Sequence, residues 1–334
     1  MDDFMKLVEL CRSKKVYIQT HNFPDPDAIA SAYGLQNLLA YYEVPSVLCY
    51  YGKIDKLSTR KMTELFNIDI FPYAGLENDM NAEDYIICVD SQKNGGNILD
   101  FEGDEIACID HHPTYVEESY QYSDIRIVGS CATLIAEYFQ KLNVSMTADV
   151  ATALLYGMKM DTAHFTRGVT LQDIDMFKYL FPKIDVEKMA DLEKNTIEFS
   201  DLKAYGSAIE NIRVYDKVGI AAIPFECPDS LIALVADFIL SLEEVEIAVI
   251  YSYRAKEIKF SVRSEISSVH AGKLINRVLK GYGNGGGHAE MAGGSISNEN
   301  IKLLGAYPDD TIRDLFVNTA AEMAGQNKRM NEKR

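Results

Sequence analysis

VYIQTHNFPDPDAIAS, residues 16–31, is the stretch from which the rest of the chain becomes readable. Val16-Tyr17-Ile18 is a short apolar run that reads as a buried strand ending at His21. From Ala28 to Tyr42 the apolar spacing turns helical, and the loop Asn22–Asp27 between them is polar. Pro24 and Pro26 restrict the backbone on either side of Asp25 and so fix the direction of its carboxylate. The segment also has an ordinary explanation, with Asp27 as a helix N-cap, Asp25 as a turn residue and His21 incidental.

Outward from this unit the pattern repeats. Val44–Tyr51 reads as a strand, Tyr85–Val89 is an apolar run ending in Asp90, and Ile106–Ile109 is another ending in Asp110. Residues 4–13, Ser130–Leu142, Ala148–Met158 and Leu171–Leu180 have helical spacing. Strands alternating with helices predict an α/β fold, with an N-terminal, mostly parallel sheet carrying helices on both faces. Ligands of such sheets gather beyond the carboxyl ends of the strands, and here three apolar strands each end in His or Asp.

The second half changes character. Residues 185–210 are charged and helical in pattern. Ile212–Val214 and Gly219–Pro224 then read as strands, Ser230–Leu242 as a helix, and Val245–Tyr253 with Lys256–Arg263 as a hairpin around Arg254-Ala255. Ala271–Leu279 is helical, Tyr282–Gly294 is glycine-rich, and Asp309–Ala324 reads as a closing helix. This predicts a smaller C-terminal α/β domain with a mixed sheet. The expected division is 1–190 for the first domain, 191–210 for a helical linker and 211–330 for the second domain, since 334 residues suit two domains.

Charge and cysteine usage limit what the chain can do. Lys and Arg total 33 against 50 Asp and Glu, for a net charge of −17. Such a surface repels long duplex DNA, whose binding leans on many phosphate contacts, but it admits a short substrate held by metal ions. No apolar run approaches the roughly 20 residues of a membrane span. Met1–Lys6 lacks the basic start and apolar block of a signal peptide. Cys11, Cys49, Cys88, Cys108, Cys131 and Cys227 are far apart with no CxxC pair. Neither a disulfide framework nor a thiolate zinc site is expected, and a reducing, cytoplasmic location is.

The chemistry-bearing residues are His21, Asp25 and Asp27, then Asp90, then Asp110-His111-His112, then Asp161 closing a helical stretch. Adjacent histidines on extended backbone cannot both face one way, so at most one of His111 and His112 is expected to point straight at a given ion. Mixed imidazole and carboxylate donors suit Mn²⁺ or another hard-to-borderline divalent ion. Six such ligands, one of them shared, can hold two ions a few ångströms apart, the spacing used in two-metal phosphoryl hydrolysis.

HNFPDPDAIAS, ICVDSQ, CIDHHPT and GMKMDTAHF, in that order, resemble the four successive motifs of the DHH phosphoesterase superfamily. The distant Gly283–His288 stretch, GNGGGH, resembles the GGGH signature of the DHH-associated C-terminal domain. Within the superfamily, the two-domain length resembles the nanoRNase and pAp-phosphatase branch. Pro26 stands where the family often has glycine, and Met160 where threonine is common. The resemblance implies that His21 and Asp25 hold one ion, that Asp27, His111 and Asp161 hold the other, and that Asp90 bridges. Asp110 then orients a histidine, as carboxylates beside metal sites do, and His112 sits near the phosphate or leaving oxygen.

On the substrate side, the resemblance implies a pocket lined by Arg263, Ser264, Gly286, Gly287 and His288. An arginine can grip a phosphate with two parallel hydrogen bonds, and glycines let backbone N–H groups approach an anion. Arg167 is a further candidate for a phosphate contact. The implied activity is hydrolysis of short oligoribonucleotides or small phosphorylated nucleotides, such as nanoRNA or pAp, by a water held between two Mn²⁺ ions. The alternatives are a cyclic or linear dinucleotide phosphodiesterase and a non-catalytic nucleotide sensor. No membrane partner is expected, and pairing of two copies as a homodimer is left open.

Overall fold

The computed structural model describes residues 2–331. The chain divides into two compact units, Met1–Thr196 and Ile197–Arg334.

The first unit runs α1 (Asp2–Cys11), β1 (Val16–Thr20), α2 (Pro26–Tyr41), β2 (Ser46–Tyr50), α3 (Leu57–Leu65), β3 (Ile70–Pro72), β4 (Tyr85–Val89), β5 (Asp104–Asp110) and β6 (Tyr122–Ile125). Four helices follow: α4 (Cys131–Leu142), α5 (Ala148–Asp161), α6 (Leu171–Leu180) and α7 (Val186–Glu193). Its six strands are all parallel, in the order β3-β2-β1-β4-β5-β6. The chain thus winds outward from β1 in one direction, returns to β4 and winds outward in the other. The crevice between the carboxyl ends of β1 and β4 is the switch point at which such sheets bind ligands.

The α/β class holds, with one refinement. Val16, Ile18, Ile87, Val89, Ala107 and Ile109 point into the large core built with the helices. Tyr17, Cys49, Ile86, Cys88 and Cys108 point the other way, onto Met80 and Phe101 with Tyr73, Leu76, Ile98 and Tyr120. No helix longer than a single 3₁₀ turn is found on that second face among the described residues. The covering segments, 73–84 and 91–103, are rich in Gly, Asn and Asp, which favour turns over helix.

Glycines let helices meet closely. A Cβ on Gly157 of α5 would come within 2.9 Å of Ala30 Cβ and 3.0 Å of Asp27 Cα. Only glycine there lets α5 lie tightly on α2 and bring Asp161, at its last turn, beside Asp27.

The second unit runs α8 (Leu202–Asn211), β7 (Arg213–Tyr215), β8 (Val218–Ile223), α9 (Asp229–Leu240), β9 (Ile247–Tyr253), β10 (Glu257–Ser264), α10 (Ala271–Leu279), β11 (Asn284–Gly287), β12 (Met291–Ser297), α11 (Asn298–Ile301) and α12 (Pro308–Asn331). Its sheet is mixed, in the order β11-β12-β10-β9-β8-β7, with β8 and β9 parallel and the other pairs antiparallel. Ala204 and Ala208 of α8 are buried with Ile232 and Val235 of α9. Leu274, Ile275 and Phe316 pack beneath the opposite face, on Val249, Val262 and Ile296. The stretch read from sequence as a linker is therefore divided: Leu192 of α7 joins the first core, and α8 the second.

The glycine-rich stretch forms two strands where the sequence suggested none. Glycine has poor strand propensity, but here it makes room for a helix. A Cβ on Gly272 of α10 would sit 2.1 Å from the Gly287 carbonyl oxygen, and one on Gly294 would sit 2.7 Å from Leu279 Cδ1. Among the described residues, no helix is long and apolar enough to cross a membrane.

Candidate metal centre

The carboxyl ends of β1, β4 and β5 and the last turn of α5 converge. His21 leaves β1 with Nδ1 bonded to the Asn22 carbonyl at 2.8 Å, which turns Nε2 toward Asp25 Oδ1 (3.8 Å) and Asp90 Oδ2 (3.7 Å). Asp25 is the N-cap of α2, accepting from the Asp27 and Ala28 N–H groups at 3.0 and 3.2 Å. The cap thus falls on Asp25 and not on Asp27 as the sequence suggested, because Pro26 takes the first helical position and Asp27 the second. His111 lies just past β5, its Nδ1 bonded to the Val128 carbonyl at 3.0 Å. Its Nε2 is 3.3 Å from Asp90 Oδ1 and 3.4 Å from Asp161 Oδ2.

Two sets of donors result, His21 with Asp25 and Asp90, and Asp27 with His111 and Asp161, each set with its donor atoms within 4.8 Å of one another. Asp90 lies between them and also groups with His111 and His112. It takes φ +59°, a left-handed conformation uncommon outside glycine, and its N–H donates to the Ile109 carbonyl at 3.0 Å.

The donors fit divalent cations. Asp90 Oδ1 and His111 Nε2 are buried without a hydrogen-bond partner, a state that is costly unless something else satisfies them. Burial, then the charges of Asp90 and Asp161, push the Asp27 carboxyl well up from its ordinary value. Burial, then Asp25, pushes Asp161 up to about 6. Carboxylates crowded out of water raise one another in this way, and a cation between them removes the repulsion. Burial also works against charge on His21, yet its bond to Asp25 and the nearby Asp90 raise it to about 9.

A set of hydrogen bonds behind the donors holds the centre in place. Asp110 Oδ1 accepts from His112 Nδ1 at 2.9 Å and from the His111 N–H at 2.8 Å, and its Oδ2 accepts from Gln92 Nε2 at 2.7 Å. Asp110 therefore orients His112, while a backbone carbonyl orients His111. The two imidazoles lie 4.1 Å apart, tilted by 55°. Both Asp27 oxygens cap α4, accepting from the Cys131 and Ala132 N–H groups at 2.7 and 3.0 Å. Buried Asp173 accepts from the Gly129 N–H (2.9 Å), Thr133 Oγ1 (2.5 Å) and Thr170 (2.7 Å), pinning the turn that carries Val128. The sequence reading missed Gln92 and Asp173. Thr170-x-x-Asp173 is legible as a capping box, but the 44-residue reach to Gly129 is not.

The remaining candidates fall elsewhere. Arg167 donates to the Asp161 carbonyl at 2.8 Å. In the second unit, Arg263, Gly287 and His288 line one cavity of about 300 Å³ together with Lys259, Asp229 and Met291. Arg263 Nε donates to Asp237 Oδ1 at 2.5 Å and Nη1 to Ser261 Oγ at 3.0 Å. Ser264 is buried, with Oγ unpartnered, and neither it nor Gly286 lines that cavity.

A parallel α/β unit gathering imidazole and carboxylate donors at its switch point, joined to a mixed-sheet unit with a cationic cavity, defines the class: an α/β protein with a metal centre. Residues 15–158 match the DHH family, N-terminal domain, and residues 216–313 match the DHHA1 domain, so the chain carries a DHH-family N-terminal domain followed by a DHHA1 domain. An uncharacterised protein of Methanocaldococcus jannaschii is 28% identical over 296 residues, covering 87% of this chain and 60% of its own length. The cyclic-di-AMP phosphodiesterase GdpP of Geobacillus thermodenitrificans is 25% identical over 342 residues, covering 92% of this chain and 48% of its own length. The chain thus spans less than two thirds of either relative. A solved exopolyphosphatase-related protein from Bacteroides fragilis superposes with a TM-score of 0.73 at 21% identity, covering 95% of this chain and 96% of that one.

Proposed function

We propose that this protein is a manganese-dependent phosphoesterase that hydrolyses short oligoribonucleotides or small phosphorylated nucleotides such as pAp. One observation carries the reading: Asp90 Oδ1 and His111 Nε2, buried and without a well-formed hydrogen bond, lie 3.3 Å apart where the two donor sets meet. In this assignment His21 and Asp25 hold one ion, Asp27, His111 and Asp161 the other, and Asp90 both. The mixture of imidazoles and carboxylates suits Mn²⁺. When bound, such an ion pair acidifies water and offsets charge on the phosphoryl oxygens.

The chain's own residues do the rest. Asp110 Oδ1 accepts a hydrogen bond from His112 Nδ1–H and so favours the imidazolium, whose Nε2–H can pass its proton to the leaving oxygen. Gln92 holds the other Asp110 oxygen and so fixes the imidazole plane. In the second unit, Arg263 with the Gly287-His288 backbone is assigned to a phosphate of the substrate; Arg167 is a further phosphate contact. Acting on short substrates agrees with a net charge of −17. Six buried, unpaired thiols agree with work in the cytoplasm. The reading takes one polypeptide per active site and leaves two copies free to pair.

A second reading, cleavage of cyclic or linear dinucleotides, is favoured by the match to GdpP across 92% of this chain. Incubation with Mn²⁺ and pAp, pApA, longer oligoribonucleotides, cyclic di-AMP and pyrophosphate separates them. Preferred turnover of pAp or of longer oligoribonucleotides supports the first reading, preferred turnover of cyclic di-AMP or of pApA alone the second. Turnover of pyrophosphate alone sinks both.

A further inference from the structure

Between His21 and Asp25 stands Phe23, whose φ of +55° lies in the left-handed region that bulky side chains avoid. The backbone is held there: the Phe23 N–H donates to the Tyr51 carbonyl at 2.9 Å, and the Asn22 N–H to the Asn97 carbonyl at 2.7 Å. Gly52, at φ +89°, supplies the support, since a Cβ on it would come within 2.7 Å of the Phe23 ring. The ring therefore rests on bare backbone, and the residue is still 57% exposed. Strain and exposure each cost stability, and their coincidence two positions from each of two metal donors points to a ligand-facing role.

The surroundings say what kind of ligand. Phe23 is at most about 7 Å along the chain from Asp25. Lys56 Nζ, half-exposed, lies 3.7 Å from Asp25 Oδ2 on the same rim. A phosphate at the metal donors would meet a cation beside it and an aromatic face beyond it. Those are the requirements of a nucleotide, with its anion and its planar base. A base-free polyphosphate would leave the ring unused.

We propose that Phe23 is the stacking platform for a nucleobase of the substrate. The assignment rests on the phosphoesterase reading above and narrows it to substrates that carry a base next to the reacting phosphate. Base–aromatic stacking tolerates any base, so the platform reads nucleotides without reading sequence.

The chain contains no tryptophan, so Phe23→Trp carries the sole indole and reports on its own surroundings. With Mn²⁺ present, AMP is expected to quench that fluorescence saturably, and ribose 5-phosphate is not. Equal responses to the two, or no response to millimolar AMP, would overturn the proposal. As a second measure, Phe23→Leu should lower the ratio of kcat/KM for pApA over its abasic counterpart by about tenfold to a hundredfold; an unchanged ratio counts against it. Quenching needs no turnover, so the two readings fail differently. Loss of the hydrolysis reading shows as wild-type protein that cleaves no nucleotide. Loss of the platform shows as nucleotides cleaved with neither signal present.

Discussion

In the first unit Asp90 Oδ1 and His111 Nε2 are buried 3.3 Å apart without a well-formed hydrogen bond, whereas in the second unit the cavity's cations are already held. There Arg263 is paired with Asp237 at 2.5 Å, and Lys259 with Asp229 at 3.0 Å. One region presents unsatisfied donors and crowded carboxylates that only an external cation relieves. The other presents a cation set that must exchange an internal carboxylate for a ligand's phosphate. A metal site can therefore be recognised by what it lacks, and an anion site by what it must give up.

The largest test removes the charge that joins the two donor sets. Asp90→Asn keeps the shape of the side chain but donates N–H where a cation would sit. Turnover of the best substrate should fall at least a thousandfold, on the order of 4 kcal/mol in the barrier. Circular dichroism should be unchanged. Activity retained within tenfold would break the contrast, because the unpartnered oxygen would then have no catalytic use.

Metal binding itself supplies the second test. At a hundred times its dissociation constant, each Mn²⁺ adds about 2.7 kcal/mol to folding stability. For a unit of this size that corresponds to a rise of roughly 5–10 °C in melting temperature. Hydrogen exchange should slow in residues 20–28, 89–93, 109–113 and 158–162 and stay the same in 284–297. An equal shift in Asp90→Asn, or protection spread over both units, would contradict the assignment of ions to the first unit.

The paired region is probed by Asp237→Asn, which frees Arg263 without touching the cavity's shape. Asp237 is more than half exposed, so the pair is worth only about 0.2–1 kcal/mol after solvent screening. KM for a substrate with a terminal phosphate should fall by a factor of about 1.5–5, with kcat little changed. A higher KM would mean that Asp237 positions Arg263 instead of competing for it.

Much of the first unit was legible because its chemistry sits at strand ends. His21, Asp90 and Asp110 each terminate an apolar run, a pattern visible without any three-dimensional information. What could not be read depends on contacts across the chain. Gln92 matters only because β5 lies beside β4, and Asp173 only because α6 packs where Gly129 turns. In the second unit β11 and β12 were hidden by composition, since runs of glycine carry no alternation. Their strand character comes from the pairing of β12 with β10 and of β11 with β12, and from the close seat of α10. The coverage of the first sheet's second face by irregular chain was likewise invisible to periodicity.

Backbone strain sharpens the comparison further. Among the described residues of the second unit, the non-glycine residues with positive φ are Asp216 and Lys217, the two central residues of the β7–β8 hairpin, where such turns require it. In the first unit Ala163, His164 and Phe165 are consecutive at φ +46°, +57° and +65°, immediately after Asp161 and Thr162. No hairpin geometry demands that run, and each left-handed L-residue costs about 1–2 kcal/mol. It returns the chain sharply enough for the Arg167 N–H to reach the Thr162 carbonyl at 2.9 Å, and it holds the Arg167 guanidinium on the Asp161 carbonyl. Ala163→Gly removes the Cβ penalty at the first of the three and slightly enlarges the freedom of the unfolded chain. The net gain should be up to about 1 kcal/mol, a rise of roughly 2–4 °C in melting temperature. If the strain serves only to fix Asp161, activity should change less than twofold. A lower melting temperature would show that the turn is not strained at Ala163, and a large loss of activity would show that its rigidity, rather than its path, positions the carboxylate.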